Sequence, residues 1–148
     1  MTSVTLTAGQ IAERHLLAAL RLWKEGDFLS ALTLAGAAEE ILGKRLRASD
    51  QKPSFEQLRD LMVAVSDVEG SKTMMPNVAA DLINRRKNEI KHYSGDEPLV
   101  LDLREEASEI LDRAIDNYQR LNGGVPDAVL EYWLLAAEAA RPAVPPSV

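Results

Sequence analysis

The chain has 148 residues, of which 46% are apolar and 5% aromatic, with no cysteine and a net charge of −6. That size suits one domain with its own core, and the missing cysteine removes disulfides, thiolate metal sites and cysteine nucleophiles together. An acidic chain has no general attraction to polyanions, so any contact with nucleic acid must come from a local basic patch.

The apolar mass is mainly Ala and Leu, which are strong helix formers, while β-branched and aromatic residues are sparse. The expected class is all-α, a compact up-and-down bundle of five to six helices over residues 7–141. Thr7-Ala8-Gly9-Gln10 has the spacing of a capping box and opens a first helix to about Lys24. Gly26 ends it, and Asp27 caps a second helix from Phe28 to about Arg47. Ser54-Phe55-Glu56-Gln57 reads as a second capping box, starting a third helix to about Val68. Glu69-Gly70-Ser71-Lys72 breaks the pattern, and Asn77 is the expected cap of a fourth helix reaching about Tyr93. The fifth runs from about Asp102 to Leu121, with Leu103, Ala107, Ile110, Ala114, Tyr118 and Leu121 as one apolar stripe. Asn122-Gly123-Gly124 stops it. Pro126 opens the sixth, which ends before Pro142; residues 142–148, rich in Pro, are expected to be a disordered tail.

Met1 to Thr5 shows no basic segment followed by an apolar run, so no signal peptide is expected. No apolar stretch reaches spanning length. The expected location is the cytoplasm, without a membrane partner. The sixth helix is nearly all apolar between Ala128 and Ala140, with Glu131 and Glu138 its charged residues there. It is either a central core helix or, as a terminal element, a peripheral one presenting a homodimer interface. The second of these is the expectation.

Asn84-Arg85-Arg86-Lys87-Asn88-Glu89-Ile90-Lys91-His92-Tyr93 is a basic island in the acidic chain. At ~100° per residue, Ala79, Ile83 and Ile90 define the core side of the fourth helix, and Arg85, Asn88 and His92 the opposite side. Arg85 and His92 project within ~20° of each other, while Arg86 points nearer the apolar flank. Such a face suits a phosphodiester. Arginine clamps phosphate with a planar fork, asparagine orients an oxygen, and histidine relays a proton near neutrality. Attack by a ribose 2′-hydroxyl on the adjacent phosphate needs no metal. The same cations would also simply favour a helix C-terminus.

Glu39 falls within the buried stripe of the second helix formed by Phe28, Leu32, Ala35, Leu42 and Leu46. A carboxylate there needs a partner. Arg86 is a candidate, as are Arg85 and His92, in a structural ion pair. Glu89-x-x-His92 has the spacing of di-iron bundles, but the second motif is missing and Glu89 projects ~60° from His92. No metal is expected. With no phosphate loop, nucleophile elbow or dinucleotide fingerprint, no cofactor is expected either.

Two segments resemble the HEPN superfamily. Gly36-Ala37-Ala38-Glu39-Glu40-Ile41-Leu42-Gly43-Lys44 is similar to its Ala-Ala-Glu-rich second helix, and Arg85 to His92 to its R-x(4–6)-H motif, in the family's order. The resemblance covers about Gln10 to Leu121. It implies a helical bundle, often a homodimer, whose active members bring the Arg and His of both protomers into one cleft and cut RNA without metal. Many members are toxins of toxin–antitoxin pairs or defence nucleases, so an antitoxin-like protein is a possible partner beside RNA. Others are non-catalytic binding modules.

Carried onto this chain, His92 would be the general acid/base, Arg85 or Arg86 the phosphate clamp and Asn88 an orienting group. Lys87, Lys91 and Tyr93 would be substrate contacts, and Glu39 would support the basic helix. The family often has Asn directly after the Arg. Here Lys87 precedes Asn88, so motif register favours Lys87 as the motif cation and helical projection favours Arg85. A toxin branch carries a modified tyrosine two residues after the His; Tyr93 follows immediately, so that regulation is not carried over.

Overall fold

The computed structural model describes residues 2–68, 74–144 and 146–147. These residues form six helices and no strand: α1 (Ala8–Glu25), α2 (Phe28–Ala48), α3 (Ser54–Val68), α4 (Pro76–Lys91), α5 (Leu103–Asn122) and α6 (Asp127–Ala139). None is long and apolar enough to cross a membrane. The expected break at Glu69 to Lys72, together with Pro145 and Val148 of the tail, lies outside the described residues.

Local chemistry accounts for most boundaries. Thr7 and Gln10 close a reciprocal capping box on α1, and Gly26 ends that helix in the left-handed region at φ 86°. Asp27 and Asp102 accept from the third backbone N–H beyond them, capping α2 and α5, and Gly123 ends α5 at φ 73°. Two expected caps shift. Ser54 is already helical, and its N–H donates 2.8 Å to Asn117 Oδ1 on α5. Met75, not Asn77, precedes α4, because Pro76 fits the first helical position, where its missing N–H costs nothing.

The core is a three-helix arrangement of α1, α2 and α5. Its buried side chains recur at helical spacing: Ala12, Leu16, Ala19 and Leu20; Ala31, Leu32, Ala35, Ala38 and Leu42; Ala107, Ile110, Leu111, Ala114 and Ile115. The many alanines let the helix backbones approach closely. The sixth helix lies against this core and buries only Val129 and Tyr132. Leu130, Trp133 and Leu134 stay exposed, so α6 is peripheral rather than central. The α3–α4 hairpin is attached differently: α3 buries no residue and α4 only Ala79.

Candidate functional site

The basic segment occupies the last two turns of α4, and His92 is its C-cap residue. Sequence position fixes which side chains turn inward. Ile83, Lys87 and Ile90 lie along the half-buried side, and Arg85, Asn88, Lys91 and His92 are exposed. The four cations and the histidine of this segment therefore fall into two groups.

The first group is committed to ion pairs. Lys87 runs across α2 over Gly36, where an added Cβ would stand 3.0 Å from Lys87 Cδ. Glycine here makes room for the lysine stem. The ammonium reaches Glu40 at 3.2 Å and Glu39 at 3.7 Å. Glu39 is 4% exposed and lies 2.9 Å from Arg113 Nε of α5, a contact misaligned for a hydrogen bond; Arg113 Nη2 donates to it at 3.4 Å. The buried carboxylate is thus held between cations from two different helices. The expected partners Arg86, Arg85 and His92 do not reach it. Arg86, on the flank of α4, pairs instead with Glu89 at 2.9 Å and with Glu106 of α5 at 3.7 Å. Burial, then repulsion from Glu109, pushes the Glu106 carboxyl upward against the pull of Arg86.

The second group is uncommitted. Arg85, Lys91 and His92 make no ion pair, and the Asn88 side chain no hydrogen bond, among the described residues. Helical order places Val78, Leu82, Arg85 and His92 on one stripe, and Val78 and Leu82 are exposed large apolar residues. The Arg/His face therefore continues into an open apolar face. Tyr93 folds back, its hydroxyl donating to the Glu97 carbonyl.

Sequence reasoning missed Arg113 and Asn117. Asn117 is fully buried, accepts from Ser54 N–H and Arg120, and lies 3.4 Å from the Glu39 carbonyl through Nδ2. The test that singled out Glu39 would have singled it out too, since it projects ~20° from Ile110 on the apolar stripe of α5. A cavity of about 160 Å³ lies beside this network, lined by Glu39, Asn84, Lys87 and Asn117 with Phe55 at its edge. The Asn84 Oδ1 atom is buried there without a hydrogen-bond partner among the described residues. No group of three or more metal-ligating side chains occurs among the described residues.

Compared with protein-family models, curated proteins and solved structures, the chain matches none.

Proposed function

We propose that the chain is a HEPN-like, metal-independent endoribonuclease of toxin or defence type, acting through the Arg85/Asn88/His92 face of α4. The observation that supports this reading is the division of the basic segment. Its inner cation, Lys87, and flank cation, Arg86, are taken up by carboxylates, while Arg85, Asn88 and His92 are exposed and unpaired among the described residues. Arginine and histidine on one free face suit phosphate neutralisation and proton transfer at a ribose 2′-hydroxyl. In this reading Lys87 and Glu39 hold α4 in place, Arg85 is the phosphate clamp and Lys91 a backbone contact.

The active unit would be a homodimer. The apolar stripe of Val78 and Leu82 beside the Arg/His face would bring two copies of that face together; the exposed face of α6 is the other candidate interface. RNA is the proposed substrate, and an antitoxin-like protein would cover the same face.

The test is cleavage of RNA in excess chelator by the wild type, His92→Ala and Arg85→Ala. The expected outcome is cleavage that falls roughly 10²–10⁴-fold in His92→Ala, with an unchanged circular-dichroism spectrum. Cleavage retained by His92→Ala overturns the mechanism. The second reading is a non-catalytic binding module of the same fold. The specific observation in its favour is Lys87: in motif register it is the motif cation, yet it is tied to Glu39 and Glu40. RNA bound but never cut would select that reading.

A further inference from the structure

The chain's two tryptophans, Trp23 and Trp133, line one open groove of about 410 Å³ between α1, α5 and α6. Trp23 and Tyr132 form its buried floor, edge to face with ring centroids 4.8 Å apart. The polar atoms of this floor are satisfied. Trp23 Nε1 donates to Ser108 Oγ at 3.1 Å, and the Tyr132 hydroxyl donates to Asp112 Oδ1 at 2.9 Å.

Two charged groups on the rim are not matched to each other. Arg104, Ser108 and Asp112 follow one another at four-residue spacing along α5 and all line the groove. Arg104 stacks over Trp23 at 5.2 Å and over Phe28 at 5.8 Å. The aromatic wall therefore already accepts one cation of the chain itself. Asp112, two turns further on, has a hydroxyl as its partner and no cation among the described residues. Partial burial pushes its carboxyl above the usual aspartate range, against the hydrogen bond from Tyr132. Asp112 is itself exposed, and an asparagine would serve Tyr132 as acceptor equally well, so the hydrogen bond alone does not call for a charge.

A carboxylate lacking a counter-ion, next to an indole that is 40% exposed, is the chemistry that recognises an organic cation. Ring faces attract ammonium groups, most strongly where water is partly excluded, and quaternary ammonium ligands are held in this way. We propose that this groove is a binding site for a small organic ammonium ion, with Asp112 as counter-ion and Trp133 as the open aromatic wall. The Arg104 charge at the other end favours a guest with a single positive charge over a polyamine. The site shares no residue with the Arg85/His92 face, so it stands independently of the nuclease reading.

Both tryptophans lie in the groove, so intrinsic fluorescence reads it directly. The experiment titrates the full chain at constant ionic strength with choline and with its uncharged isostere, in which carbon replaces the quaternary nitrogen. The expected result is a saturable emission change with choline, roughly tenfold weaker apparent affinity for the isostere, and a similar loss in Asp112→Asn. Thermal unfolding of Asp112→Asn confirms an intact fold, and Trp133→Leu, followed by calorimetry, should weaken binding as well. No saturable response to choline or tetramethylammonium overturns the proposal. So does equal affinity for the isostere, or binding unchanged by Asp112→Asn.

Discussion

Where α1, α2 and α5 meet, most contacts are apolar, with the buried Glu39–Arg113 pair set among them: Leu16, Leu32, Leu42, Leu111 and Ile115 are all essentially inaccessible to water. The α3–α4 hairpin buries only Ala79 and packs Ile90 against the same core, and several of its ties to that core are polar. Glu56 pairs with Arg47, Ser54 N–H donates to Asn117, Arg86 reaches Glu106, and Lys87 reaches Glu39 and Glu40. Apolar burial is non-directional and strong in aggregate, whereas exposed ion pairs contribute little each. The hairpin that carries the candidate site is therefore the part of the fold whose position rests on a few specific residues.

The largest expected effect probes the point where the two regions join. Glu39→Ala leaves Arg113 and Lys87 facing a buried void without their shared carboxylate, and breaking a buried pair from one side costs about 3–5 kcal/mol. Amide hydrogen exchange should show α4 loosening before α1, α2 and α5; uniform loosening would mean that the two regions are one cooperative unit. Leu111→Ala, in the apolar core, should cost about 2–5 kcal/mol in urea unfolding. Leu61→Ala on α3, at a side chain that is 59% exposed, should cost no more than about 0.5 kcal/mol. If the two leucines prove equal, the comparison fails, because α3 would then be covered in solution.

The smallest effect is alkaline. Tyr118 donates 2.6 Å to Glu13, joining α5 to α1, and this hydrogen bond is the main cause raising its hydroxyl to about 12 from 10.0. A tyrosine raised in the folded state contributes stability below its unfolded pKa and loses it as pH rises through the folded value. Stability should therefore fall between about pH 10 and 12, and Tyr118→Phe should flatten that step.

Several helices were legible because their ends carry their own chemistry: Thr7 with Gln10, Asp27 and Gly123 act where the sequence puts them. Glu39 was legible as buried from its place on the α2 stripe. Its partners were not, because periodicity within one helix carries no distance to another. Arg113 stands 74 residues away, and Lys87, which was not among the expected partners, reaches Glu39 over the room left by Gly36 on a facing helix. The apolar stripe of Leu58, Leu61, Val65 and Val68 on α3 shows the converse limit. It has the spacing of a core face, yet every one of these residues is exposed. At the candidate site, the polar face of α4 was readable from projection, but which of its cations remained free required the acids of α2 and α5.

The placement of Trp23 on α1 and Trp133 on α6 has a spectroscopic consequence. Emission reports the α1, α5 and α6 side of the molecule and is blind to the hairpin, while far-ultraviolet dichroism also counts Ser54–Val68 and Pro76–Lys91. If the hairpin detaches first, the two signals will have different midpoints on denaturation. A single midpoint from either probe would then misstate the cooperativity of the whole chain.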